Sequence, residues 1–100
     1  MFKKRHLSRG IHEEIPLNIQ AMLWDILDKR IASGAKMDYL QIFDLIAKGD
    51  EEYPIQYVLH RQEVPEHRKE WTAECKKPVT AKIYIIDDGT HCTMLFPEER

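Results

Sequence analysis

Between Ile15 and Gly34 the apolar residues recur every three or four positions. Ile19, Met22, Leu23, Ile26, Leu27 and Ile31 fall on one side of a helix, and Asn18, Asp25, Asp28 and Lys29 gather on the other. The spacing predicts a main helix over "HEEIPLNIQAMLWDILDKRIASG". Pro16 suits its first helical position, where a missing N–H costs nothing, and Gly34 suits the left-handed residue that closes it. Leu17 and Trp24 widen the apolar arc, which predicts a helix set deep against a sheet.

The rest of the chain reads as strands. "FKKRHLSRGI" alternates imperfectly and ends at Gly10, as a short polar first strand followed by a turn would. "DYLQIFDLIAKG" fits two templates. Asp38 and Gln41 resemble a capping box, with Tyr39, Ile42, Phe43 and Ile46 at helical spacing, yet its β-branched and aromatic content and its length fit a strand. We take the strand reading, because Ile55 to Glu63 needs an antiparallel neighbour. Pro65 interrupts that second run, and "RKEWTAE" continues as a further short or edge strand.

"AKIYIIDDGTHCTMLF" predicts a hairpin with Asp88-Gly89 as the two central residues of a type I′ turn. That register pairs Ile85 with Cys92, Ile83 with Met94 and Ala81 with Phe96, six apolar residues on one face. His91 and Cys92 then point to opposite faces, so they form no nucleophile-base pair, and Cys92 belongs in the core.

Composition narrows the class. One hundred residues, 43% hydrophobic and 32% charged, describe a single domain over 1–100 with one modest core. Asn18, Gln20, Asp25 and Asp28 break the longest apolar stretch, which excludes a membrane span there. Met1-Phe2 runs straight into charged residues and there are only two cysteines, so the expectation is a cytoplasmic chain with reduced thiols. Lys3, Lys4, Arg5 and Arg9, with Arg61 and Arg68, could follow a phosphate backbone, and Tyr57 or Trp71 could stack on bases. A net charge of -2 and the lack of any recognition motif argue against nucleic acid.

Two polar segments carry the candidate chemistry. His12, Glu13 and Glu14 could act as an acid/base or metal cluster, but no second histidine completes His-Glu-x-x-His. The plainer reading places both glutamates at the positive end of the main helix dipole. His60, Glu63 and His67 are zinc-compatible residue types, yet strand alternation turns His60 and Glu63 to opposite faces and Pro65 redirects the chain. No phosphate loop, serine elbow or Cys-x-x-Cys occurs.

Taken in order, "RGIHEEIPL", Leu23-Trp24, "DYLQIF", "HRQEVP" and "AKIYIIDDGTHCTMLF" resemble the DUF960 family of small uncharacterised Firmicute proteins. The resemblance spans nearly the whole chain and implies a cytosolic single-domain bacterial protein. It implies no catalytic residue.

The expected architecture is α+β: one main helix packed on a largely antiparallel β-sheet that ends in an Asp-Gly hairpin. The expected function is a non-enzymatic protein-interaction or regulatory module without cofactor, metal or catalytic residue. Its polar recognition surface would combine Arg9, His12, Glu13 and Glu14 with His60, Arg61 and Glu63, meeting a protein partner or a second copy. One alternative is a small hydrolase or metal-assisted enzyme, which requires His12, Glu13, Glu14, His60 and Glu63 to converge. The other is nucleic-acid binding through the basic first strand.

Overall fold

Pro16 divides the predicted helix in two. In the computed structural model, which describes residues 1–100, a short helix α1 (Arg9–Glu14) precedes the main helix α2 (Leu17–Ala32). The residue before a proline is pushed out of the helical region, and Ile15 is extended at φ -106°, ψ 122°. Pro16 itself caps α2, and Gly34, at φ +78°, follows its end as expected. Ser8 starts α1 by accepting the Ile11 N–H on its hydroxyl at 3.2 Å. Gly10 therefore lies inside a helix rather than a turn. Glu13 and Glu14 sit in the last turn of α1 and not at the positive end of α2, so the expected dipole contact is absent. Glu13 instead pairs with Arg9 at 2.9 Å.

Six strands follow the α+β expectation: β1 (Arg5–Leu7), β2 (Leu40–Gly49), β3 (Pro54–Gln62), β4 (His67–Glu74), β5 (Ala81–Asp87) and β6 (Cys92–Leu95). They form one sheet in the order β1-β6-β5-β2-β3-β4. β1 is parallel to β6, and every other pair is antiparallel. "DYLQIFDLIAKG" is thus a strand paired with β3, and "RKEWTAE" lies within the edge strand β4. No helix is long and apolar enough to cross a membrane.

Both helices pack on one face of the sheet. Ile19, Leu23, Ile26 and Leu27 of α2 and Ile11 of α1 form a buried cluster with Phe43, Leu45, Val58, Ile83, Ile85 and Met94. The apolar arc is narrower than the helical pattern predicts, since Leu17 and Ile31 remain exposed at its two ends. Arg5 ties the edge strand β1 to α2 by bonding the Asp28 carboxylate and lying over the Trp24 ring, 4.7 Å from its centroid.

The final hairpin differs from expectation in register. Ile85 faces Met94 and Asp87 faces Cys92, a shift of two residues. The loop closes where the Asp88 N–H donates to the His91 carbonyl at 3.0 Å, so Gly89 and Thr90 occupy its centre. The cause is side-chain chemistry that β-propensity does not capture. The Asp88 carboxylate accepts the backbone N–H groups of Thr90 and His91 at 3.0 Å each, and Asp87 accepts that of Gly89 at 2.9 Å. Gly89 takes positive φ (+98°), whereas Asp88 does not, which rules out the type I′ turn. Because the shift is even, every side chain keeps its face. Ile83, Ile85, Cys92 and Met94 are all fully buried on the helix side, and burial pushes the Cys92 thiol up.

Candidate interaction surface on the uncovered sheet face

Strand alternation assigns each side chain to the helix-covered face or to the opposite one. On β3 the assignment inverts the usual hydropathy. Gln56, Val58, His60 and Gln62 face the helices and are buried. Ile55, Tyr57 and Leu59 face away from them, half exposed. β2 and β5 add Leu40, Ile42, Ile46, Tyr84 and Ile86 to this second face. Leu40, Ile42 and Leu95 are at most 8% exposed, yet they stand apart from the cluster under the helices; Ile46 is 41% exposed. The solvent side of an antiparallel sheet ordinarily alternates to polar residues. Here its centre is apolar.

One ion cluster interrupts the apolar band. Arg61 Nε donates to Asp44 Oδ2 at 2.6 Å, and Lys82 Nζ lies 3.8 Å from Asp44 Oδ1. The Asp44 hydrogen bond raises the Arg61 guanidinium further above its already high value. Beside it Lys48 Nζ sits 4.2 Å from the centroid of the Tyr57 ring, and desolvation followed by the nearby Glu70 pushes the Tyr57 phenol up. The edge strand β4 borders the band with Arg68, Glu70, Thr72 and Glu74, all exposed. The face therefore has an apolar centre and a charged margin.

His60 is on the other side of the sheet. Its Nε2 meets Gln41 Oε1 at 2.6 Å. The Gln41 amide nitrogen donates to Asp38 O and to Gln62 Oε1, which leaves its oxygen as the acceptor and assigns the imidazole proton to Nε2. Gln62 then donates to the carbonyls of Lys36 and Pro65, joining the chain before β2 to the turn after β3. Burial lowers the His60 pKa to about 4, helped by His67 and Arg30.

The sequence-derived recognition residues therefore separate. Arg61 lies on the uncovered face. Glu63 is exposed just past the end of β3, and His60 is buried beneath the helices. Arg9, His12, Glu13 and Glu14 are exposed on α1, which follows the opposite edge strand. α1 packs on β6, and β5 and β2 separate β6 from β3, so at about 4.8 Å per step the two segments are roughly 14 Å apart across the sheet. The convergence needed for a hydrolase built from His12, Glu14 and His60 is not made. No group of three His, Cys, Asp or Glu side chains is placed to hold a metal ion. Nor do the basic residues make one free face: Arg5, Arg9 and Arg61 are each paired with a carboxylate. Asp44, Lys82, Ile42 and Tyr84 are not among the sequence-derived recognition residues, although strand alternation along β2 and β5 places all four on one face.

The fold and this surface define a small α+β protein with a single sheet covered on one side only. Residues 4–99 match the family described as "Staphylococcal protein of unknown function (DUF960)", and the chain belongs to that family. A crystal structure of a protein of unknown function from Enterococcus faecalis has the same fold, with a TM-score of 0.76 at 23% identity, covering 97% of this chain and 90% of that one. No curated protein matches the chain.

Proposed function

We propose that the protein is a non-enzymatic interaction module whose docking surface is the uncovered sheet face, and that its occupant is a second copy of the chain. The inverted hydropathy of β3 carries the reading, since Ile55, Tyr57 and Leu59 are directed away from α1 and α2. The charges on this face are self-complementary: Asp44, Glu70 and Glu74 stand among Lys48, Arg61, Arg68 and Lys82, as an isologous contact requires. Strands β2 to β6 present roughly 600 Å² of sheet per copy at about 3.3 Å per residue and 4.8 Å between strands. Two copies would bury about 1,200 Å², the lower bound for a specific interface, so the dimer is reversible.

Sedimentation velocity across a concentration series tests this. Dimer should grow with concentration and be lost in Ile46→Lys, an exposed position whose substitution spares the core. A wild-type chain that stays monomeric to millimolar concentration overturns the proposal. So does a dimer that survives both Ile46→Lys and Tyr84→Lys.

A further inference from the structure

On the helix-covered face, a cleft of about 90 Å³ opens between the last turns of α2 and strands β3 and β4. Lys29 and Arg30 line it from α2, His60 from β3, and His67, Lys69 and Trp71 from β4. No carboxylate lines it; the nearest acidic partner is Asp25, one helical turn back, which holds Lys29 Nζ at 2.7 Å. Two ammonium groups lie near the Trp71 ring, Lys69 Nζ at 4.5 Å and Lys29 Nζ at 5.4 Å from its centroid. The His60 and His67 rings meet edge-on at 5.6 Å.

Two residues that line this cleft each carry a buried hydrogen-bond donor that finds no acceptor in the protein: Arg30 Nε and Trp71 Nε1. They are the only buried side-chain polar atoms left so. Native structures rarely leave buried donors unpaired, and an unpaired guanidinium donor is especially costly. That both residues line one basic cleft points to an acceptor carrying negative charge.

We infer that the cleft is a binding site for a small oxyanion of the phosphate or sulfate type, held by Arg30 Nε–H and Trp71 Nε1–H with Lys69 and His67 at its side. The cleft, about 90 Å³ and open to solvent, has room for a free tetrahedral oxyanion. The negative end of the α2 dipole works against an anion here. Its last carbonyls are already taken, however: Ser33 N–H bonds Lys29 O, Gly34 N–H bonds Ile31 O, and Ser33 Oγ bonds Arg30 O. Burial lowers the His67 pKa, and Arg30 and Lys69 lower it further, so the field in the cleft is positive and unbalanced. A bound dianion reverses that sign and draws a proton onto His67. His60, whose Nε2 proton is committed to Gln41, stays neutral.

The test is a proton–nitrogen NMR titration with sulfate, which does not itself titrate near neutrality, against sodium chloride at matched ionic strength. The Trp71 indole and Arg30 Nε signals should shift saturably with sulfate, while the indole of Trp24, which lies outside the cleft, serves as the internal control and stays in place. Affinity should be higher at pH 6 than at pH 8. Lys69→Met, at an exposed position, should weaken binding by about tenfold, and Arg30→Gln should abolish it. Identical responses to sulfate and chloride, an unmoved Trp71 signal, or unchanged affinity in Lys69→Met would overturn the inference. The readout is independent of self-association, which concerns the opposite face of the sheet.

Discussion

His60 and Phe43 face each other across β3 and β2 and stack with ring centroids 4.6 Å apart and planes 5° from parallel. The imidazole is 1% exposed and its one N–H is committed to Gln41. A histidine so placed is a flat core residue with a single satisfied donor, and its neutrality is a condition of the fold.

Stability should therefore fall on mild acidification. Above pH 6.5 the imidazole is neutral whether the chain is folded or unfolded, and it contributes no pH dependence. Below that, the unfolded chain binds a proton that the folded one, with a pKa of about 4, refuses. The loss accumulates from pH 6.5 down to 4 and reaches on the order of 3 kcal/mol. Urea melts at pH 7.5, 6, 5 and 4 would show the midpoint dropping, and His60→Gln should flatten the profile in this window. An equally steep profile in the variant would refute the assignment.

Adjacent residues at the end of β3 should differ sharply. Gln62 satisfies four groups, accepting from Asp38 N–H and Gln41 and donating to Lys36 O and Pro65 O. Gln62→Leu strands these partners and should cost about 2–4 kcal/mol. Glu63→Ala, one position on and exposed, should change stability by roughly 0.5 kcal/mol or less. Chemical denaturation of the two variants decides the matter.

The hairpin loop depends on an ionised carboxylate. Hydrogen bonds from the His91 and Thr90 backbone N–H groups, then from the Thr90 hydroxyl, hold the Asp88 carboxyl down at about 2. Its contribution is complete above the ordinary Asp value of about 3.9 and is lost as pH falls through 2. NMR titration should find this low pKa, and Asp88→Ala should speed amide exchange at Thr90 and His91. A carboxyl that titrates normally would mean that the loop is held some other way.

Two glycines with positive φ should respond unequally to alanine. At Gly89 (φ +98°) an added Cβ meets nothing within 4 Å, so Gly89→Ala bears only the backbone penalty, roughly 1–2 kcal/mol. At Gly49 (φ +79°) the same Cβ would stand 2.1 Å from the Tyr53 carbonyl oxygen. The β2–β3 turn must then move, and Gly49→Ala should lose clearly more stability. Thermal melts of both variants test the order.

Much of the fold was legible because its signals are local. The spacing of Ile19, Leu23, Ile26 and Leu27 marks α2, and the alternation of Ile83 with Ile85 marks a strand face whatever lies beyond it. The hairpin register was misread because Asp87 and Asp88 bind backbone N–H groups, an interaction that outweighs a two-residue turn preference without changing any apolar contact. The candidate surface was less legible. Polarity drew attention to "GIHEE" and "LHRQE", whereas the sheet order sets these segments near opposite edges.

By itself the sequence determined the main helix, the strands and which residues within each share a face, since these follow from repeats of two or nearly four along one chain. It could not determine which face of β3 the helices would cover. Hydropathy favours the side of Ile55, Tyr57 and Leu59, but tertiary packing buried Gln56, His60 and Gln62 instead. The reason is that a buried glutamine or histidine is tolerated only when its partners are in place. Those partners, Val79 for Gln56, Gln41 for His60 and Lys36 for Gln62, lie 19 to 26 residues away and are assembled only by the folded sheet.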